Sequence, residues 1–171
     1  MNQEMSGIDV DLGSGNTYAV GIEHRAAQGS TIQSVTIFAN DAFAGLMGGA
    51  GSGGSHIGVT VIGGRFGVDY RGAQPAATVA GFRLVSQRCA GILYCGLMSL
   101  SIVGLQLSSA ERSFQHAIIA GTGDGLQLAQ ASQVRREEPL GECSAPTDGW
   151  CPGNPPGKIN QTGTRAIHGQ V

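Results

Sequence analysis

The chain has 171 residues, 29 of them Gly and 6 Pro, with 5% aromatic and 13% charged residues and a formal net charge of −2. A charged share roughly half the usual one, with a single Lys among the basic residues, gives no electrostatic footprint for nucleic acid or an anionic membrane surface, and no apolar run approaches the roughly 18 residues of a membrane span. The 41% apolar content at so low a charge is that of a chain that folds, and the opening MNQEMSGIDV has neither the basic nor the apolar region of a signal peptide.

In chain order the predicted elements alternate between two kinds. The first kind reads small, apolar, mostly polar, apolar. It occurs at Gly7-Ile8-Asp9-Val10, Ser34-Val35-Thr36-Ile37, Gly58-Val59-Thr60-Val61, Gly81-Phe82-Arg83-Leu84, Gly104-Leu105-Gln106-Leu107 and Gly125-Leu126-Gln127-Leu128, with starts 27, 24, 23, 23 and 21 residues apart. Such period-2 alternation is that of a short half-buried strand. Between these blocks lie Gly21-Ile22, Gly45-Leu46, Gly67-Val68, Gly91-Ile92 and a weaker Ala117-Ile118. Strands held in phase at this period predict a solenoid, because one unit cannot bury its apolar side without neighbours. The leucine-rich pattern is absent, and a propeller blade needs about twice the period. The fold expected is therefore all-β, a right-handed parallel β-helix over residues 1–130 with about five to six coils, like strands stacking about 4.8 Å apart in two parallel sheets. Glycine supplies the positive φ values of the turns.

Stacking assigns the faces. Val35/Ile37, Val59/Val61, Phe82/Leu84, Leu105/Leu107 and Leu126/Leu128 are expected inside, with Thr36, Thr60, Arg83, Gln106 and Gln127 forming an outward polar ladder. The second strand family puts Ile22, Leu46, Val68 and Ile92 inside. Glu23, Met47, Asp69 and Leu93 then share an outward column, and Arg25, Gly49, Arg71 and Cys95 the next one. Glu23 and Asp69 would lie two coils, about 10 Å, apart, close to the carboxylate separation of an inverting glycosidase. Equally, Glu23 can pair with Arg25 and Asp69 with Arg71 as solvated surface charge.

Other chemical signals are sparse. Asp9 and Asp11 share a strand face but bring too few oxygen ligands for a hard cation, and the four His show no metal-ligand spacing with Cys, so neither a metal nor a cofactor is expected. Cys89 and Cys95 lie too far apart along one extended strand to bridge and read as small buried hydrophobes. Cys143 and Cys151 sit in a loop that can bring them within reach, and a disulfide there would require an oxidising compartment. The glycine clusters at Gly13 and Gly121 do not complete a dinucleotide fingerprint. Residues 131–171 hold five of the six prolines, the single Trp and no repeat block, and read as an irregular or disordered tail carrying a glycosylation acceptor pattern at Asn160.

Three stretches, AVGIEHRAAQGSTIQSVTI (19–37), GSGGSHIGVTVIGGRFGV (51–68) and AQPAATVAGFRLVSQRCAGI (73–92), together resemble coils of the pectate-lyase-like superfamily. Within it they are most similar to glycoside hydrolase family 55, the β-1,3-glucanases with right-handed β-helices. The resemblance covers about half the chain, and its Gly turns and inward aliphatics specify fold better than reaction. It implies that Gln74 matches a coil glutamine that helps place the attacking water. It also implies that the acid Glu belongs to a later helical domain, for which this chain is too short, and that family members carry aromatics where Glu23-His24 stands here.

Two functions follow as expectations. One is a fragment of a polysaccharide-active enzyme, a hydrolase or lyase, with Glu23, Asp69 and Gln74 as catalytic residues and Arg25, Arg71 and Arg83 binding a β-glucan or a uronic-acid polymer, Arg suiting carboxylated sugars by bidentate contact. The other is a non-catalytic solenoid that binds glycan or supports other domains. With no capping helix before Gly7, self-association through uncapped coil edges is expected, and an extracellular location follows if the chain belongs to a secreted family member.

Overall fold

A computed structural model of the chain describes residues 2–71, 78–95, 100–109, 116–120 and 126–129. Within them the strands are short, and each pairs in parallel with its counterpart in the adjacent turns. β1 (Glu4–Ser6), β2 (Asp9–Asp11) and β3 (Val20–Arg25) form the first turn, and β4 (Thr31–Gln33), β5 (Thr36–Asn40) and β6 (Ala44–Gly49) the second. β7 (Ser55–Ile57), β8 (Thr60–Gly63) and β9 (Phe66–Arg71) follow as the third. β10 (Thr78–Ala80), β11 (Arg83–Val85) and β12 (Ala90–Cys95) make the fourth, and β13 (Leu100–Val103), β14 (Gln106–Ser108), β15 (His116–Ala120) and β16 (Leu126–Ala129) continue the stack. The chain is an all-β parallel solenoid without a helix among the described residues.

Three sheets result, not the two expected: β1-β4-β7-β10-β13-β16, β2-β5-β8-β11-β14 and β3-β6-β9-β12-β15. The three-residue strands of the first sheet that follow β1 present one inward side chain each, Ile32, His56 and Val79, in register with Ile102 of the next strand, which is too little alternation to announce a strand. The same shortness misplaces the last block. Leu126 and Leu128 pair with Leu100 and Ile102 in the first sheet and do not continue the second, although Leu-Gln-Leu repeats the pattern at Leu105–Leu107.

The second sheet follows the repeat as read. Asp9, Thr36, Thr60, Arg83 and Gln106 lie side by side in register, while Val35, Ile37, Val59, Val61, Phe82 and Leu84 are buried in one continuous core. The small residue opening each block has a conformational reason. Gly7, Ser34, Gly58, Gly81 and Gly104 each make the corner between the first and second sheets at φ between +53° and +69°, a region that Gly enters at no steric cost and that Ser34 occupies against its preference. At the corner entering the third sheet the demand is space. A Cβ on Gly45 would collide with the Val61 side chain, so the Gly-apolar pair lets the backbone press against the second sheet before Leu46 turns into the core.

Cys89 is buried, as expected, but it is disulfide-bonded and so is not a simple core hydrophobe. Cys143, Cys151, Asn160 and the rest of 131–171 lie outside the described residues.

Candidate functional site

The outward columns of the third sheet assemble as the repeat spacing required. Glu23 is in register with Met47, Met47 with Asp69, and Asp69 with Leu93; Arg25 is in register with Gly49, and Arg71 with Cys95. Glu23 and Asp69 therefore stand two rungs apart, about 10 Å along the stack. Each carboxylate has its Arg two residues on, because alternate residues of a strand share a face.

The two pairs differ in kind. Arg25 Nε donates to Glu23 Oε1 at 2.6 Å with the side chains 73% and 56% exposed, so this pair sits in solvent. Asp69 is 1% exposed. Its Oδ1 accepts from the Arg71 backbone N–H and Nε, both at 2.9 Å, and its Oδ2 accepts from Nη2 at 2.7 Å and Nε at 3.1 Å, a fork that leaves the carboxylate filled. The Arg71 guanidinium lies 5.8 Å from the centre of the Phe43 ring, and Phe43 meets Phe66 edge-on at 5.3 Å. Phe66, Ala90, Cys89 and Leu93 form a second, outer apolar cluster there. The expected open polar strip is thus open at Glu23 and Arg25 and closed at Asp69 and Leu93, and the Asp69–Arg71 pair is a buried one where solvated charge was the simpler expectation.

The remaining sequence-derived residues do not converge on this strip. Arg83 is exposed on the outer side of the second sheet, between Thr60 and Gln106. Gln74 lies outside the described residues. Asp11 accepts from the Gly13 N–H at 2.9 Å and serves its own turn. Among the described residues no group of three His, Cys, Asp or Glu side chains is placed to hold a metal ion.

One constellation was not anticipated. The inward column of the third sheet runs through His24 and its partner Gly48, and later through Tyr70 and its partner Tyr94. His56 reaches in from the first sheet: its Nε2 is 2.8 Å from His24 Nδ1 and its Nδ1 is 2.8 Å from the Tyr70 hydroxyl. Burial and the neighbouring His24 push the His56 pKa down to about 3, burial lowers that of His24, and burial holds the Tyr70 hydroxyl protonated. Neutral His56 carries one ring N–H. Either Tyr70 donates to Nδ1 and Nε2–H donates to His24, or the chain runs in the opposite direction. A single polar residue inside Ser55-His56-Ile57 gives no spacing signal, since its partners come from other strands.

Compared with protein-family models, curated proteins and solved structures, the chain matches none of them. The observed likeness to a β-helix is therefore one of architecture.

Proposed function

We propose that this chain is a β-solenoid module of a polysaccharide-active protein and that its own part is to bind or carry glycan, not to cleave it. The observation that carries the non-catalytic half is the Asp69–Arg71 fork: a carboxylate 1% exposed, with both oxygens occupied, cannot serve as the second carboxylate opposite Glu23. The polysaccharide half rests on the architecture, whose long stacked faces suit a linear polymer, on the resemblance of residues 19–92 to pectate-lyase-like coils, and on Arg25. Glu23 takes the Nε of this guanidinium and Nη2 reaches the weak acceptor Met47 Sδ at 4.0 Å, so N–H donors remain for a uronic-acid carboxylate or a sugar hydroxyl.

A second reading, the hydrolase or lyase, is favoured by the exposure of Glu23 on the same column, with a β-1,3-glucan as substrate and Gln74 placing the water. A panel of β-glucans and uronic-acid polymers separates the two. Reducing-sugar release marks a hydrolase, release together with absorbance at 235 nm marks a lyase, and retention in affinity electrophoresis with neither signal is the outcome expected here. Arg25→Ala should weaken that retention. Sugar release abolished by Glu23→Gln would replace the binding reading with the enzymatic one.

A further inference from the structure

We propose that the outer face of the first sheet is a docking strip for an uncharged linear polysaccharide. The inference rests on the reading of the chain as a glycan-binding module and gives that module a neutral face besides the strip at Glu23 and Arg25. Stacking sorts the outward residues of this sheet into two columns, because the residues flanking an inward one point away from the core. One column is made of hydroxyls: Thr31, Ser55 and Thr78 stand in register, and Ser101 follows on the next rung, one residue before the Ile102 that partners Val79. The other column runs through Gln33, Ile57, Ala80 and Val103, also in register. Ile57 is 39% and Val103 43% exposed, so with the half-buried Ala80 between them three successive rungs hold apolar surface against water. No Asp, Glu, Lys or Arg stands on β4, β7, β10 or β13, whereas the third sheet carries Glu23, Arg25, Asp69 and Arg71 and the second Asp9, Asp11 and Arg83.

Dimensions and charge select the occupant. The two columns lie two residues apart along each strand, about 7 Å, and four rungs about 4.8 Å apart run for about 14 Å, so the flat area is on the order of 100 Å². A stable pairing of folded proteins needs about 800 Å² from each partner, so this strip holds neither a second copy nor another folded domain. A single polymer chain is narrow enough. Without a positive charge on the strip, a nucleic acid or a uronic-acid polymer finds no counter-charge there. A neutral sugar ring matches both columns: its C–H face covers Ile57, Ala80 and Val103, and the hydroxyls at its rim meet the hydroxyl column. Thr31 Oγ1 and Ser55 Oγ share one hydrogen bond at 3.1 Å, and since a hydroxyl offers one donor and two acceptor lone pairs, both keep capacity for a sugar hydroxyl. The strands from β4 to β13 are each paired on both sides, so the strip is held in place before the polymer arrives and little ordering cost attends binding.

Calorimetric titration of the full chain with cellohexaose and mannohexaose, and with hexagalacturonate as the charged comparison, provides the test. Binding of a neutral hexasaccharide is expected. Ala80→Arg sets a long charged side chain in the middle of the strip and should weaken that binding by about tenfold or more. Thr78→Val removes one exposed hydroxyl at nearly constant shape and should weaken it by about threefold. Gln106→Arg, outward on the second sheet, should leave it unchanged, and thermal unfolding checks that each variant is folded. Affinity equal to the parent's in folded Ala80→Arg and Thr78→Val would put the glycan elsewhere and overturn this face while leaving the glycan-binding reading intact. Binding of hexagalacturonate alone would do the same. Failure to bind either neutral hexasaccharide also overturns the face, whereas the glycan-binding reading falls only if the polymers are not retained in affinity electrophoresis either.

Discussion

Asp69 and Glu23 have the same neighbour at the same spacing, and burial alone makes them different residues. Removing one partner of a buried pair strands the other charge, at a cost of about 3 kcal/mol or more, whereas an exposed pair contributes under about 1 kcal/mol. Arg71→Ala should therefore lower the urea midpoint sharply and Arg25→Ala barely move it; equal losses would show that Asp69 is solvated. The pairing was legible through the i, i+2 rule but the burial was not, because it depends on what lies over the sheet. His56 carries the residue-scale pH dependence. Its folded pKa, about 3, is below the ordinary value of 6.5, so the unfolded chain binds the extra proton and stability drains as the pH falls from 6.5 toward 3, by about 1.4 kcal/mol per unit for this one group. Burial of His24 acts in the same direction. Denaturant titrations at pH 7.0, 6.0 and 5.0 should show this slope, and His56→Gln, which keeps hydrogen-bonding capacity without titrating, should flatten it. A variant as steep as the parent would place the acid sensitivity elsewhere.

At the scale of the element, legibility follows strand length and the number of inward residues. The second sheet could be read because each block offers two apolar residues around one polar one, as in Val59-Thr60-Val61, and a positive-φ residue in front of them. The first sheet could not, since Thr31-Ile32-Gln33 and Ser55-His56-Ile57 show one inward residue apiece. The corners now yield a quantitative contrast. Gly58 sits at φ +61° with no atom closer than 3.8 Å to an added Cβ, so Gly58→Ala meets backbone strain alone, about 1 kcal/mol. Gly45 has an ordinary φ but no room, and Gly45→Ala must displace Val61 and the carbonyl of Gly67, costing about 2 kcal/mol or more. Ser34→Gly relieves the one non-Gly member of the first corner and should stabilise by up to about 1 kcal/mol. Thermal unfolding of the three variants checks the order; Gly45→Ala milder than Gly58→Ala would mean that close approach of the sheets is not what the third-sheet corner requires.

Across the whole molecule, each turn touches chiefly the turn above and the turn below, so stability is distributed along the axis and need not be lost everywhere at once. Among the residues whose side chains are described, the interior groups that gain charge between pH 7 and pH 5 lie in the first three turns: His24 in the first, and His56, hydrogen-bonded to Tyr70, in the third. The inward residues of the fourth turn, Val79, Phe82, Leu84, Ile92 and Tyr94, include no group that changes charge between pH 7 and pH 5. Acid should therefore loosen the molecule from the histidine-bearing turns first. Hydrogen exchange read by mass spectrometry at pH 7 and pH 5, corrected for intrinsic rates, is expected to show protection falling in β3, β7 and β9 while β11 and β12 hold theirs. Uniform loss of protection along the stack would instead mean that the solenoid opens as one cooperative unit, in which the protons taken up by the histidines destabilise every turn alike.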